Sequence, residues 1–222
     1  MKKVLIIILT LNCICAFAQN KIELLNKGNE HYQNEEYENA EYYYKQSLEK
    51  DNSYYKGNLN TGHSLFKQAI PLVQNQDSLG LKKLEEAEQF YNNSTDLTNN
   101  KKEKAESLYN KGNSQLLSGK IKESIESYKQ SLRIEPKNKQ TKHNLALAQS
   151  IQQKQEQKKK PEEKEEKEQE DQKQEQPSKP KEELSKEEIE QILNALEREE
   201  KEVQEDMQKK KVVGKGKSLK DW

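Results

Sequence analysis

Residues 110–113 read NKGN and residues 128–132 read YKQSL, and both words occur earlier in the chain, at 26–29 and 44–48. Each word recurs 84 positions after its first copy. Two separate words that keep one offset indicate that the same supersecondary unit occurs twice. A weaker copy, NTGH at 60–63, places Gly62 34 positions after Gly28. A period of 34 residues is typical of a repeated helix-turn-helix unit.

Small residues and tyrosines occupy matched places in these units. The small residues let two antiparallel helices approach closely, and a tyrosine fills the space beside them. The small residues are Gly28, Ala40, Gly62, Ala87, Gly112 and Ser124, and the tyrosines are Tyr44, Tyr91 and Tyr128. Pro136 cannot continue a helix and marks the next turn. The pattern resembles the tetratricopeptide repeat, which implies an all-α, right-handed solenoid.

The repeat spacing divides the chain into segments. We predict a repeat domain over 19–157, with repeats at about 21–54, 55–104 and 105–138, closed by a capping helix at 139–157. Gly112 follows Gly62 by 50 positions, so the second repeat carries 16 extra residues. Pro71 and Gly80 are breakers, and we assign the insertion to the polar stretch between them.

The first 18 residues have the layout of a secretory signal peptide. Lys2 and Lys3 precede an apolar run at 4–15, and Ala16-Phe17-Ala18 supplies small residues for cleavage before Gln19. A retained anchor is the weaker alternative, because the run is shorter than the roughly 20 residues that span a bilayer. Cys13 and Cys15 lie in this segment, so the mature chain has no cysteine. We expect an exported protein, periplasmic or associated with the envelope membrane.

A lipoprotein is disfavoured by the residues before the two cysteines. Acylation requires a small residue there, and Asn12 and Ile14 occupy these positions.

Beyond the repeats the chain becomes almost wholly polar. We predict a disordered Lys/Glu/Gln-rich linker at 158–184, since such a composition buries too little apolar area to offset its ordering entropy. Ser185 and Glu188 have the spacing of a capping box. They start a predicted amphipathic helix at 185–211, whose apolar stripe is Ile189, Ile192, Leu193, Leu196, Val203 and Met207.

The narrow stripe of this helix cannot be buried alone. It must dock on the repeats, self-associate as a coiled coil, or bind a partner. The basic tail at 212–222 is either a solvated end or a contact to an anionic membrane surface.

Two short stretches near the C-terminus resemble one particular group of tetratricopeptide-repeat proteins. ILNALE at 192–197 and the ending KDW at 220–222, together with the signal peptide, repeats and linker, are similar to the Bat-type (Bacteroides aerotolerance) repeat proteins. Such proteins are typically encoded beside membrane proteins with von Willebrand factor A domains and a MoxR-type ATPase. The resemblance therefore implies protein partners of that kind and a place in a cell-envelope complex. The oxygen-tolerance name describes a phenotype of the group, and nothing in these residues indicates that the chain senses oxygen.

The first helices of such a solenoid line a concave groove, and amide side chains there can hydrogen-bond a peptide backbone. The predicted peptide-binding residues are Asn26, Asn29, Asn60, His63, Asn110, Asn113 and Asn144. The alternative is that these side chains only solvate or cap helices. Leu25 and Tyr109 stand where lysines would grip a terminal carboxylate, so carboxylate specificity is not expected.

Composition and spacing argue against catalysis, cofactors and nucleic acid. The three histidines, His31, His63 and His143, lie in different repeats without metal-ligand spacing, and no metal is expected. The formal net charge is zero, which disfavours binding to nucleic acid. We interpret the chain as a non-enzymatic interaction scaffold.

A module that binds surface glycans or cell wall is the alternative function. The repeats contain no tryptophan for sugar stacking, which disfavours it. Tyr32, Tyr42 and Tyr43, which the repeat pattern does not use, keep it open.

Expression in a bacterial host followed by N-terminal sequencing tests the export prediction. We expect the exported chain to begin at Gln19, because Ala16 and Ala18 meet the small-residue requirement of the peptidase. Replacing Ala18 with Arg should leave the precursor uncut. A wild-type chain that begins at Met1 in the envelope fraction would support the retained anchor.

Overall fold

The computed structural model describes residues 20–167, 184–198 and 201 of the chain, with side chains between 20 and 157 and from 184 onward. These residues form eight helices and no strand. The helices are α1 (20–33), α2 (Tyr37–Lys50), α3 (Tyr55–Gln74), α4 (Ser78–Leu97), α5 (Lys101–Leu117), α6 (Ile121–Ile134), α7 (Lys139–Lys167) and α8 (186–198).

Three helical hairpins, α1–α2, α3–α4 and α5–α6, follow one another along the chain. From α2 onward each helix packs on the next one, as far as α7. The alternate helices α3, α5 and α7 also contact one another in order and so share one face. This is the predicted all-α tetratricopeptide solenoid.

The turn inside each hairpin has the same geometry. Its middle residue, Glu35, Gln76 or Gly119, has a positive φ of 62°, 57° or 79°. The next amide bonds a carbonyl five residues back, at 2.9, 2.8 and 2.8 Å. This is the Schellman motif that ends helices in a left-handed residue. Only the third hairpin uses glycine at this position, where the other two have Glu35 and Gln76.

Polar side chains cap several helices where the sequence turns. Asp77 accepts a hydrogen bond from the amide of Leu79 at the start of α4. Asn100 does the same for the first turn of α5. Before α8, the Ser185 hydroxyl accepts from the Glu188 amide at 3.2 Å, and the Glu188 carboxylate accepts from the Ser185 amide at 2.9 Å. The structure therefore contains the capping box that the sequence predicts for this helix.

The extra residues of the second repeat lie around the predicted insertion at 71–80, and they lengthen both helices of that hairpin. Helix α3 continues 12 positions past Gly62, whereas α5 continues only 5 past Gly112. Helix α4 begins 13 positions before Tyr91, whereas α6 begins 7 before Tyr128. The second hairpin thus projects about 10 Å beyond its neighbours, at 1.5 Å per helical residue. Pro71 lies inside α3.

Helix α7 runs to Lys167, rather than ending at 157 as the sequence predicted for the capping helix. Its last residues are Lys and Glu, which suit a solvated helix as well as a linker. Helix α8 begins as predicted. The predicted stripe residues Val203 and Met207, the rest of the linker and the tail lie outside the described residues. Among the described helices, none has the length and apolar content needed to cross a bilayer.

The core of each hairpin forms where a tyrosine ring lies against a glycine. A Cβ on Gly62 would come within 2.7 Å of the Tyr91 ring, and one on Gly112 within 2.5 Å of Tyr128. Gly28 and Tyr44 make the same approach in the first hairpin. All three tyrosines are buried, so the repeated spacing within the chain reflects direct packing.

The serine of the YKQSL word ties the two helices of a hairpin together. The Ser47 hydroxyl donates to the Lys21 carbonyl at 2.7 Å, and Ser131 donates to the Ala105 carbonyl at 2.8 Å. Both serines are buried, so each bond satisfies a polar group inside the core. The repeated words therefore contain residues that make contacts between the helices.

Replacing Gly112 with Ala should lower the free energy of urea unfolding by about 1–2 kcal/mol. Overpacking against Tyr128 costs about 1–3 kcal/mol, and removing a helical glycine returns up to about 1 kcal/mol. Asn93→Ala, at an exposed position of α4, is the control and should not destabilise. Equal stability of the wild type and the Gly112 variant would contradict the close Gly–Tyr approach.

Candidate functional site: the concave groove

One tyrosine hydroxyl in each hairpin bonds the residue that follows the glycine. Tyr44 donates to Asn29 Oδ1 at 2.8 Å, and Tyr128 donates to Asn113 Oδ1 at 2.8 Å. In the second hairpin the partner is a histidine, since Tyr91 Oη lies 3.0 Å from His63 Nδ1. The glycine and its successor thus act as a unit: one admits the ring and the other holds its hydroxyl.

Asparagines also join one repeat to the next. Asn60 Nδ2 donates to Asn29 Oδ1 at 3.0 Å, and Asn144 Nδ2 donates to Asn113 Oδ1 at 3.1 Å. The joint between the second and third repeats differs. There Asn110 donates to the Glu106 carbonyl of its own helix at 2.9 Å.

The structure gives the predicted peptide-binding residues different surroundings. Asn29, Asn60, Asn113 and Asn144 hold the repeats together through these bonds, and Asn113 and Asn144 are buried. Asn26 is exposed. His63, Asn110 and Asn113 line one shared cavity. Contact between these residues and a peptide stays a prediction. His63 and Asn110 are the residues best placed to make it.

A second layer of polar bonds joins consecutive repeats and was not predicted. Gln68 donates to the Glu41 carboxylate at 2.7 Å, and Gln115 donates to Glu88 at 2.7 Å. Both glutamates stand three residues before the repeat tyrosine, at matched places. Lys120 adds a bond to Glu88 at 2.8 Å. The recurring Glu-to-Tyr spacing is the sequence signal that could have revealed this layer.

The concave face contains a cavity of about 510 Å³. Its walls include large apolar and aromatic side chains, with amides among them, notably Phe66, Ile70, Tyr109, Asn110, Leu193 and Leu196. A smaller hollow of about 220 Å³ adjoins it at the α1 end and shares Tyr32 and His63. Ligand pockets are typically concave and mostly apolar with a few polar groups, and have this size.

Helix α8 lies on the repeats and forms one side of this cavity. Ile192 is fully buried in the apolar cluster that also contains Leu116, Tyr128 and Ile151. Leu193 and Leu196 pack against the same cluster and line the cavity. Of the three fates that the sequence leaves open for this stripe, the structure shows docking on the repeats.

Desolvation shifts the pKa of two groups near the groove. It lowers the pKa of His63 to about 4, with a further contribution from the nearby Lys67. It also raises the pKa of the Glu106 carboxyl above its ordinary value. His63 is therefore neutral at physiological pH, where its ring can bond the Tyr91 hydroxyl.

The described residues include no group of three or more His, Cys, Asp and Glu side chains placed to hold a metal ion. The three histidines lie apart, in α1, α3 and α7.

Comparison with known proteins supports the fold. Residues 105–138, the third predicted repeat, match the family model of the tetratricopeptide repeat. No curated protein matches the chain.

Solved tetratricopeptide domains have similar structures. The first such domain of Spaghetti (RPAP3), bound to the HSP90 peptide SRMEEVD, is 21% identical, with a TM-score of 0.50, over 60% of this chain and 93% of that one. The second domain of human RPAP3, in complex with the HSP70 peptide SGPTIEEVD, is 20% identical, with a TM-score of 0.51, over 60% and 98%. The Arabidopsis OM64 domain is 16% identical, with a TM-score of 0.51, over 61% and 98%. At these identities the similarity establishes the fold alone.

Replacing His63 with Asn tests the electrostatics of the middle joint. The folded pKa of about 4 lies below the ordinary value of 6.5, so between these values the unfolded chain binds a proton that the folded chain does not. Stability should therefore fall as pH drops from 6.5 to 4, by at most about 1.4 kcal/mol per pH unit from this group.

The amide side chain introduced by His63→Asn would still accept the Tyr91 hydroxyl, as Asn29 and Asn113 do for their tyrosines, and would not titrate. Urea unfolding of both proteins across this range should show the wild type losing stability faster. Parallel curves would contradict a His63 that stays neutral in the folded chain.

Proposed function

We propose that the chain is a non-enzymatic scaffold that binds a partner protein in the concave groove, within a bacterial cell-envelope complex. The observation that carries this proposal is the cavity of about 510 Å³ on the concave face, walled by apolar and amide side chains. Two domains of similar fold were solved with bound peptides, which supports a peptide as the ligand.

The envelope part of the proposal rests on the sequence. The N-terminal 18 residues have the order of an export signal, and the C-terminal words resemble the Bat-type proteins. The partners proposed on that basis are membrane proteins with von Willebrand factor A domains. The basic residues of the tail add a proposed peripheral contact with the membrane.

Docking of α8 favours the groove over that helix as the main binding surface. The sequence allowed partner binding through the groove, the C-terminal helix or both. Ile192 is fully buried and Ala195 is 8% exposed, so the centre of the stripe is already covered by the repeats. A partner therefore meets the groove with α8 in place.

An affinity pulldown from solubilised envelope tests the proposal, with the tagged mature chain and two variants as bait. Asn110→Arg puts a long cation into the cavity and removes only a bond within α5. Asn93→Arg makes the same change on the exposed face of α4. We expect the wild type and Asn93→Arg to recover the same membrane proteins, and Asn110→Arg to lose them at least tenfold.

Equal recovery by all three baits would contradict the groove as the binding site. Recovery of glycan with no protein would contradict the scaffold and favour the cell-surface alternative.

A further inference from the structure

The apolar stripe of α8 divides into two parts. Ile192 and Ala195 face the repeats and are buried. Leu193 and Leu196, on the neighbouring side of the helix, are only partly covered and line the 510 Å³ cavity. One part of the stripe thus anchors the helix, and the other remains available to a ligand.

The anchoring of α8 makes it part of the fold. Ile192 shares an apolar cluster with side chains of α6 and α7. Leu184, directly before the capping box at the start of α8, packs against the same cluster. Near its other end, Arg198 Nη2 donates to His143 Nε2 at 2.7 Å. A helix held at its start, middle and end is suited to form a fixed side of the cavity. It is less suited to be a segment that a ligand displaces.

The lengthened second hairpin supplies another wall of the cavity. Ile70 and Gln74 of α3 line the cavity, and both belong to the turns that α3 has in excess of α5. Ala69 and Val73 of the same turns enter the cluster that contains Ile192. A second hairpin of ordinary length would lack this wall, so the extra residues and α8 build one site between them.

The cavity walls are nearly neutral. Of the residues described along its walls, only Lys67 and Glu197 carry a full charge, and their signs oppose. Phe66, Ile70 and Tyr109 offer apolar surface, and the amides of Gln74 and Asn110 offer hydrogen bonds. Such walls do not select the acidic peptides held by the RPAP3 domains. They suit large apolar side chains presented on an uncharged peptide.

We infer that α8 completes a composite binding site, in which a partner peptide inserts large apolar side chains between Leu193 and Leu196 on one side and Phe66, Ile70 and Tyr109 on the other. This deepens the function proposed above and rests on it. Helix α8, which follows the repeats in sequence, then sets specificity for apolar rather than acidic peptides.

A random dodecapeptide library displayed on phage, selected on the full mature chain and depleted on its Asn110→Arg variant, supplies the probe. We expect enriched peptides with at least two large apolar residues and no net negative charge. Their affinity is then measured on Leu193→Asp, Leu196→Asp and the control Asn194→Asp, which places the same charge on the exposed side of α8. Each leucine variant should bind at least tenfold more weakly, and the control within twofold of wild type.

Thermal unfolding followed by circular dichroism checks that the repeats remain folded in each variant. Because Leu193 and Leu196 are only partly buried, we expect little loss of helix. Failure to enrich peptides, or enrichment of acidic ones, would overturn the inference. So would unchanged binding to the leucine variants, and tighter binding to them would show that α8 blocks the groove.

The two proposals fail separately. If the pulldown loses its partners with Asn110→Arg but keeps them with both leucine variants, the groove binds protein without α8. If the pulldown is unaffected by every variant, the proposed function fails as well.

Discussion

The approach of a tyrosine ring to a helical glycine is the contact on which the rest of this structure depends. It sets the distance between the helices of each hairpin and occurs in all three. The tyrosine hydroxyl is then brought to the residue after the glycine, and that residue bonds the next repeat at two joints. Packing inside a hairpin is thereby coupled to stacking between hairpins. The concave face exists because these joints repeat in one direction, as expected for a solenoid stabilised by its neighbours.

The contact between the second and third repeats does not follow this pattern, and its residues line the cavity. His63 replaces the asparagine of the other repeats and bonds Tyr91, while Asn110 turns to its own helix. The second hairpin is also the one whose helices are lengthened. The irregular repeat thus carries the features that distinguish this groove from a regular one. Regular joints stabilise the array, and the residues of the irregular joint line the cavity.

The fold was largely predictable because its determinants are periodic. Gly28, Gly62 and Gly112, with Tyr44, Tyr91 and Tyr128, identify the hairpins, and the capping box before α8 was readable from Ser185 and Glu188. Pro71 and Gly80 located the insertion, but they look like helix breakers and so concealed that it lengthens both helices. Pro71 fits on an exposed helix face, and Gly80 packs against Val73. The sequence could not show whether Asn29 and Asn113 bond neighbouring helices or bind a ligand, since an amide side chain suits both roles. The packing of Ile192 on the repeats requires contacts distant in sequence, which periodicity does not encode.

Methyl NOE spectroscopy on the chain from Gln19 to Trp222, with Ile and Leu methyl groups labelled, tests most directly whether α8 belongs to the groove. We predict cross-peaks between the methyl groups of Ile192 and those of the α5–α7 cluster, which includes Leu116 and Ile151. Cross-peaks from Ile192 confined to residues of α8 itself would contradict the account, because the helix would then be detached from the repeats and the cavity would lose one of its walls.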